Sequence, residues 1–149
     1  MNRLLKIDKL IKQRTDKIIT CSELNKELVF ECNGILFTLI KVDDKTNILL
    51  NNQDIRCDYI ITSNNTNEIA LFIELKGSDI SHAFRQIQTM KDRFSKEYLK
   101  VYGAIIYSGS PFRTIIQNSI QKAKKSGFKN VFVNRSSLVL KYIKNEIKK

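Results

Sequence analysis

Three charged side chains near the middle of the sequence have the types and spacing that metal-assisted hydrolysis requires. Glu74 and Lys76 close an otherwise apolar run, 69–76, and Asp58 lies within the preceding apolar run, 55–62. Successive side chains of a strand point to opposite faces, so Glu74 and Lys76 project on the same side. If the two runs form neighbouring strands, the carboxylate of Asp58 can lie beside that of Glu74.

Two carboxylates held close together on a rigid sheet suit a hard divalent cation such as Mg²⁺, and Mn²⁺ is expected to substitute for it. Such an ion polarises a phosphate oxygen and lowers the pKa of a bound water. A neighbouring lysine can position that water or stabilise the charge that develops on phosphorus. The three residues therefore predict hydrolysis of a phosphate ester.

The spacing of Glu74 and Lys76 is not specific by itself, because an acid two residues before a lysine occurs three times in the chain. The other two instances are Asp43-Asp44-Lys45 and Glu146-Ile147-Lys148. Only Glu74-Leu75-Lys76 ends an apolar strand, follows a strand that contains an aspartate and precedes a helix. The alternative interpretation is a structural ion pair at the end of a strand.

The amino-terminal third is predicted to contain two helices followed by a hairpin. Apolar residues at helical spacing predict an amphipathic helix over 3–19. Thr20 and Glu23 have capping-box spacing, which predicts a second short helix through Glu27. Asn33-Gly34, a dipeptide typical of hairpin turns, is expected to join strands 28–32 and 35–42. The Asn-rich stretch 43–54 is predicted to be a loop with a short strand at 48–50.

The rest of the chain alternates between strand-like and helix-like segments. Further strands are predicted at 101–107 and 128–133, and helices after Gly77, over 111–126 and over 137–149. An antiparallel first half followed by strand, helix, strand, helix and strand predicts one α/β domain spanning residues 1–149. We expect a single mixed sheet with helices on both sides.

The positive charge of the chain is concentrated in its last third. Residues 1–50 have net charge +2, residues 51–100 are neutral, and residues 101–149 have net charge +9 out of the total of +11. A one-sided basic surface favours phosphate-bearing or anionic-lipid partners, and the alternative is a solvated basic face. The candidate phosphate contacts are Arg113, Lys122, Lys124, Lys125 and Lys129.

The cysteines and the apolar runs favour a cytoplasmic protein with no membrane partner. Cys21, Cys32 and Cys57 form no CxxC pair, and an odd number fits no closed disulfide framework, so we expect three reduced thiols. No apolar run approaches the length that spans a membrane, and the first twenty residues lack the apolar core of a signal peptide.

The block Ile73-Glu74-Leu75-Lys76-Gly77-Ser78-Asp79-Ile80, together with Asp58 on the preceding strand, resembles the PD-(D/E)xK nuclease superfamily. The resemblance covers roughly residues 20–107 and is closest to small stand-alone prokaryotic members, which include Holliday-junction resolvases. It implies a restriction-endonuclease-like mixed sheet flanked by helices. Cys57 stands where the family name has proline.

The resemblance also implies roles for individual residues. Asp58 and Glu74 would bind Mg²⁺ together with the Leu75 carbonyl, and Lys76 would handle the attacking water. An additional acid on an amino-terminal helix is common in the superfamily, and both Glu23 and Glu27 are candidates for it. The products would carry a 5′-phosphate and a 3′-hydroxyl.

A second group of roles depends on the helix that follows the motif and on the oligomeric state. Gln86 resembles a glutamine that superfamily members direct at the site, and a solvated helix face is its alternative. The expected activity is Mg²⁺-dependent endonucleolytic cleavage of duplex or branched DNA. One site per chain suggests a homodimer for cutting both strands. The alternatives are an inactive nuclease-fold domain that binds nucleic acid or a protein partner, and a basic adaptor on an anionic membrane.

Overall fold

A six-stranded sheet lies at the centre of the structure and carries both candidate carboxylates. The computed structural model describes residues 11–42, 57–63, 68–75 and 77–149. Within these ranges the chain forms ten strands, two α-helices and a single 3-10 turn. The strands are β1 Ile11–Thr15, β2 Ile18–Glu23, β3 Lys26–Glu31, β4 Phe37–Lys41, β5 Tyr59–Ser63, β6 Ile69–Glu74, β7 Lys100–Tyr107, β8 Asn130–Arg135, β9 Ser137–Ile143 and β10 Glu146–Lys148. The helices are α1 Ile80–Phe94 and α2 Arg113–Lys125, and the 3-10 turn is Ser95–Glu97.

The six-stranded sheet has the order β1-β4-β5-β6-β7-β8 and is mixed. The pairs from β1 to β6 are antiparallel, whereas β6 pairs with β7, and β7 with β8, in parallel. Parallel neighbours need a crossover connection, and α1 and α2 supply the two crossovers.

A second, four-stranded sheet has the order β10-β9-β3-β2 and covers one face of the first sheet. β3 and β9 pair in parallel, and the two outer pairs are antiparallel. Its buried side chains include Cys21, Leu28 and Leu140, which pack with Ile61 and Leu71 of the first sheet. This face of the larger sheet is therefore covered by strands.

Both helices lie on the opposite face of the six-stranded sheet. Phe84 and Ile87 of α1 pack with Ile60 and Phe72 of the sheet, and Ala123 of α2 belongs to the same core. The expected mixed α/β class is therefore confirmed, but the expectations of a single sheet and of helices on both sides are wrong, because a second sheet covers one face. The molecule has three layers: helices, six strands and four strands.

The central and carboxy-terminal elements up to residue 135 agree with the sequence prediction. The strands predicted at 35–42, 55–62, 69–76, 101–107 and 128–133 correspond to β4, β5, β6, β7 and β8, and the two helices that follow Gly77 and Pro111 correspond to α1 and α2. Residues 55, 56 and 76 lie outside the described ranges, as do the predicted loop at 43–54 and the short strand at 48–50.

The two helices predicted near the amino terminus are wrong for the described residues. Residues 11–15 and 18–23 form β1 and β2, and β3 begins at Lys26. In β2 only Ile19 and Cys21 are buried, so buried side chains recur every two residues, as in a strand, and not every 3.6 residues, as in a helix. The part of the predicted first helix before residue 11 lies outside the described ranges.

The hairpin predicted at Asn33-Gly34 is also wrong, although the turn itself is present. Both residues have positive φ angles, 52° and 81°, as this dipeptide favours. However, β3 and β4 belong to different sheets, so the turn carries the chain from one layer to the next. The side-chain amide of Asn33 donates a 2.6 Å hydrogen bond to the carbonyl of Tyr142, which fixes the turn against β9.

The closing helix predicted over 137–149 is replaced by the hairpin of β9 and β10. Leu138, Leu140 and Tyr142 are buried at every second position. Lys144 and Asn145 connect the two strands with φ angles of 50° and 66°, the double positive φ of a type I′ turn. This segment pairs with β3, which lies far away in the sequence. Local periodicity, on which the helix prediction was based, contains no information about such a pairing.

The described helices are too short and too polar to cross a membrane.

Gly103 allows α1 to approach the sheet closely. A methyl group added at this position would lie 2.7 Å from Cδ1 of Ile87 and 3.3 Å from both methyl groups of Val131. The position has no room for a side chain because Ile87 of α1 lies directly over β7. The packing of α1, and with it the connection that follows Glu74, depends on this glycine.

We expect Gly103→Ala to lower the free energy of unfolding by about 1–3 kcal/mol, because overpacking a core forces side chains off their rotamers. Urea unfolding measures the change. Gly77→Ala is the matched control, since its added methyl group would lie 3.7 Å from the nearest atom. Equal stability losses in the two variants would contradict the close approach at Gly103.

Candidate functional site

Asp58 and Glu74 lie at the same end of the β5–β6 pair. The antiparallel register ends at Tyr59 and Ile73; Asp58 precedes β5, and Glu74 is the last residue of β6. The backbone N–H of Asp58 donates to the carbonyl of Ile73, so Asp58 does not continue the regular ladder. The structure therefore places both carboxylates that the sequence singled out near the end of β6, where both act on the thiol of Cys57.

Asp58 is held by hydrogen bonds from both neighbouring strands. Its Oδ2 accepts the backbone N–H of Leu75 at 2.8 Å. Its own backbone N–H donates to the carbonyl of Ile73 at 3.0 Å, and its carbonyl accepts the N–H of Val42 at 3.0 Å. The carboxylate is 3% exposed and therefore keeps one position relative to the end of β6.

Glu74 is the last residue of β6 and has no solvent-exposed surface. It shares the face of Phe72, two residues earlier, which is the face covered by α1. On its other side β6 pairs with β7, where Ile105 lies opposite Glu74. A carboxylate in this position is costly to ionise unless charges or hydrogen bonds compensate it.

The thiol of Cys57 lies within the electrostatic field of both carboxylates. Burial raises the pKa of Cys57 well above its usual value, and the negative charges of Glu74 and then Asp58 raise it further. Burial also raises the pKa of Cys21 to about 12, with a smaller contribution from Asp58. Cys57 packs on the helix face of the sheet and Cys21 in the core between the two sheets, so Asp58 acts on thiols of both cores. All three cysteines of the chain are free and buried.

A cavity of about 170 Å³ opens beside Asp58 and includes Glu23. Its other lining residues are Ser22, Lys41 and Tyr59. Glu23 is the last residue of β2, so the additional acid reaches this region from the second sheet and not from the helix that the sequence predicted. Glu27 does not line this cavity and lies exposed on β3, which distinguishes the two candidates.

Lys41 is a cation of this region that the sequence reasoning missed. It ends β4, pairs with Tyr59 of β5 and lines the same cavity as Asp58 and Glu23. The available signal was its place at the end of an apolar run, 35–42. Only the register of β4 against β5 shows that this end lies next to Asp58.

Two further predicted site residues are Lys76 and Gln86, and the structure describes only the second of them. Lys76 lies outside the described ranges, so its predicted role stays a prediction. Gln86 is half-buried on α1. Its neighbour Ile87 packs over Gly103 of β7, and Gly103 pairs with Phe72 of β6. Gln86 therefore lies near the end of β6 that carries Glu74.

The four lysines predicted to hold a polyanion are not brought to the carboxylates. Lys122, Lys124 and Lys125 lie in the last turn of α2, shortly before Lys129. The backbone N–H of Lys129 donates to the carbonyl of Val101, which pairs with Ala70, four residues before Glu74. At about 3.3 Å per residue the backbone of Lys129 lies roughly 13 Å from Glu74 along the strand direction. Arg113 begins α2 and lies at the same edge of the sheet as Glu74.

The described part of the chain contains no group of three or more His, Cys, Asp or Glu side chains that could hold a metal ion. Asp58 and Glu74, at the end of β6, and Glu23, in the cavity beside Asp58, offer oxygen donors only. Carboxylate oxygens are ligands of the type that Mg²⁺ takes, one or two at a time, while it keeps several waters.

The chain matches no protein-family model, no curated protein and no solved structure. The fold that the coordinates show is a small mixed α/β fold of two sheets and two helices.

Because the raised pKa of Cys21 disfavours its thiolate, the stability of the fold should decrease at high pH. The unfolded thiol loses its proton near its usual pKa of 9.0, whereas the folded thiol keeps it up to about 12. The unfolded state therefore binds fewer protons in this interval, and the free energy of unfolding should fall by about 1.4 kcal/mol per pH unit.

Urea unfolding at about pH 10 and 11 measures how steeply the free energy of unfolding falls with pH. In Cys21→Ala this fall should be smaller by about 1.4 kcal/mol per pH unit. Ile19→Val, at the neighbouring buried position of β2, carries no titratable group and should retain the wild-type slope. An unchanged slope in Cys21→Ala would show that the thiol ionises as it does in the unfolded chain.

Proposed function

We propose that this protein is a Mg²⁺-dependent endonuclease that hydrolyses phosphodiester bonds of DNA and leaves 5′-phosphate and 3′-hydroxyl ends. The observation that carries the proposal is that two buried acids, Asp58 and Glu74, lie at the end of the central strand β6, where Oδ2 of Asp58 accepts the N–H of Leu75. Buried acids near one another are unfavourable for stability, and such groups are concentrated at functional sites.

In the proposed site Asp58 and Glu74 hold the metal ion, together with the Leu75 carbonyl. Oδ2 of Asp58 accepts the Leu75 N–H, which holds the carboxylate beside the Leu75 backbone. When bound, the ion supplies a polarised phosphate oxygen and a water of lowered pKa. The hydrogen bonds on Asp58 orient its carboxylate before substrate binds, so little reorganisation is needed.

The remaining residues receive supporting roles. Lys76 is proposed to position the attacking water, and Gln86 to contact the substrate or that water from α1. Glu23 is proposed as the further acid, because it lines the cavity beside Asp58. Lys41 in the same cavity balances part of the negative charge. These assignments agree with the resemblance to the PD-(D/E)xK superfamily.

DNA is the proposed substrate, as a duplex or a branched form. The net charge of +9 in residues 101–149 supports a polyanionic partner. With a single site per chain, cutting both strands would need a second copy, so a homodimer is part of the proposal. The proposed location is the cytoplasm, which is compatible with three free thiols.

A second candidate function is a nuclease-fold domain that binds nucleic acid or a protein partner without cleavage. The distance between the lysines at the end of α2 and the carboxylates favours it, since those lysines can bind phosphates without bringing them to Glu74. This candidate predicts salt-sensitive binding and no metal-dependent product.

The test is incubation with labelled plasmid, linear duplex, single strand, RNA and four-way junction, with and without Mg²⁺ or Mn²⁺. We expect metal-dependent cleavage that falls by roughly 100-fold or more in Asp58→Asn, Glu74→Gln and Lys76→Ala, because each change removes a metal ligand or the water-positioning group. Glu146→Gln is the matched control, since Glu146 and Lys148 have the same spacing as Glu74 and Lys76.

Each outcome of this assay selects between the candidates. Cleavage that survives both Asp58→Asn and Lys76→Ala would remove the catalytic assignment. Binding without any product, under either metal ion, would favour the second candidate. Urea unfolding of each variant separates loss of the site from loss of the fold.

The lysines at the end of α2 are expected to contribute affinity but not catalysis. Replacing Lys122, Lys124 and Lys125 by Gln should weaken DNA binding and reduce the slope of log affinity against log salt by about 0.9 per lost phosphate contact. Binding of Mn²⁺, measured by calorimetric titration, should be unchanged. The control variant removes the same charge from the second sheet, at Lys141, Lys144 and Lys148. A loss of metal binding in the α2 variant would contradict this separation of roles.

A further inference from the structure

The loop between β7 and α2, residues 108–112, lies at the edge of the sheet that carries Glu74. The backbone N–H of Ser108 donates to the carbonyl of Gly77 at 2.9 Å. Gly77 follows Glu74 by three residues, so this hydrogen bond ties the loop to the segment that contains the motif. The side chains of the loop are therefore placed where a substrate bound at Glu74 would extend.

Phe112 occupies a position in this loop that suits a different residue type. It is the N-cap of α2, with φ −66° and ψ 131°, and its side chain makes no capping hydrogen bond. Ser, Thr, Asp and Asn are preferred there because their oxygens accept an N–H of the first helical turn. In addition, the ring is 74% exposed to solvent.

Phe112 is thus unfavourable for the helix, and its ring buries little surface in the fold. Conflicts between a residue and its local structure are expected mainly at functional sites. Leu99, at the opposite edge of the sheet, is another large apolar side chain with 84% exposure but has no helix to cap. Exposure alone therefore does not distinguish Phe112. What distinguishes it is its position at the start of α2 and at the edge of the sheet that carries Glu74.

A cavity of about 350 Å³ lies next to the Phe112 ring, between the first turns of α1 and α2. This volume falls in the range of small-molecule sites. Its lining mixes apolar and polar side chains, among them Ile80, Pro111, Ile115, Ser78, Ser81 and Asp79. Oδ1 of Asp79 accepts the N–H of His82 at 3.1 Å, and its negative charge disfavours a phosphate in the cavity. A flat group with polar edges, such as a nucleobase, fits this lining better.

Two arginines lie at the same edge of the sheet as Phe112 and could contact a phosphate backbone. Arg113 follows Phe112 directly and begins α2. Arg135 is exposed at the end of β8, where it pairs with Tyr107, the residue before the loop. Arg135 lies two strands away from Glu74, roughly 10 Å across the sheet. It also lies two residues beyond the level of Glu74, roughly 7 Å along the strand direction. Cations and an exposed ring therefore occupy the same edge as the carboxylates.

We propose that Phe112 stacks on an unpaired nucleobase of single-stranded or branched nucleic acid whose phosphates contact Arg113 and Arg135. The inference rests on the proposed function and specifies its substrate class. An exposed aromatic ring stacks on any base whose face is accessible, whereas the bases of an intact duplex already stack on each other. The unpaired segment would lie next to the bond that is cleaved.

The test measures binding without cleavage, by fluorescence anisotropy in EDTA, with a labelled single strand and the duplex of the same sequence. Phe112→Ser should weaken single-strand binding by about 5- to 160-fold, the range that stacking on one aromatic ring accounts for. The same change should raise the midpoint of urea unfolding, because serine caps α2. Phe112→Tyr should retain the affinity, and Leu99→Ser is the matched control for removing an exposed apolar side chain.

The outcomes separate this inference from the proposed cleavage. Selective loss of single-strand affinity in Phe112→Ser supports it even if no cleavage is found in the activity assay. Unchanged affinity, or an equal loss for single strand and duplex, would overturn it whether or not the protein cleaves DNA. A change in oligomeric state by sedimentation, with nucleic-acid binding intact, would instead identify the Phe112 face as a contact between copies of the chain and would also overturn it.

Discussion

The burial of β6 on both faces is the constraint from which the rest of the structure follows. All six residues of this strand, Ile69–Glu74, are buried. A strand of this kind must have a layer on each side and a neighbour on each edge, because any exposed face would leave apolar surface in water. The helices cover one face, the four-stranded sheet covers the other, and β5 and β7 pair with its edges. The chain then leaves β6 at Glu74, where the layers end.

The ends of the strands are where this packing leaves room for charge. Asp58 and Glu74 lie at such an end, and hydrogen bonds with Val42, Ile73 and Leu75 hold the backbone and carboxylate of Asp58. Burial raises the pKa of Cys57, and the negative charges of Glu74 and then Asp58 raise it further. Under the proposed function, the hydrogen bonds on Asp58 would orient its carboxylate before a ligand binds.

The distribution of positive charge has a different meaning in the folded chain than along the sequence. Net charge placed the basic surface in the last third, and α2 contains much of it. The lysines in its last turn lie toward the edge where β6 begins, whereas Arg113 and Arg135 lie at the edge where β6 ends. Because α2 crosses from one edge to the other, a single helix supplies cations to two separate surfaces. Under the proposed function, the two groups of cations would contact different parts of the DNA.

The sequence by itself determined the central elements and the position of the two acids at one end of β5 and β6. Periods of 2 and 3.6 residues located β4 to β8, α1 and α2, because these segments bury their apolar residues against adjacent parts of the chain. Antiparallel neighbours in sequence then brought Asp58 and Glu74 to the same end of the strand pair. Tertiary structure alone decided the second sheet, where 18–23 and 137–148 form strands instead of helices. There β2 and β3 form a local hairpin, and the long-range pairing of β3 with β9 joins it to the end of the chain. Tertiary structure also decided that Glu23 and Lys41 share a cavity with Asp58, since local periodicity contains no information about which distant strands meet.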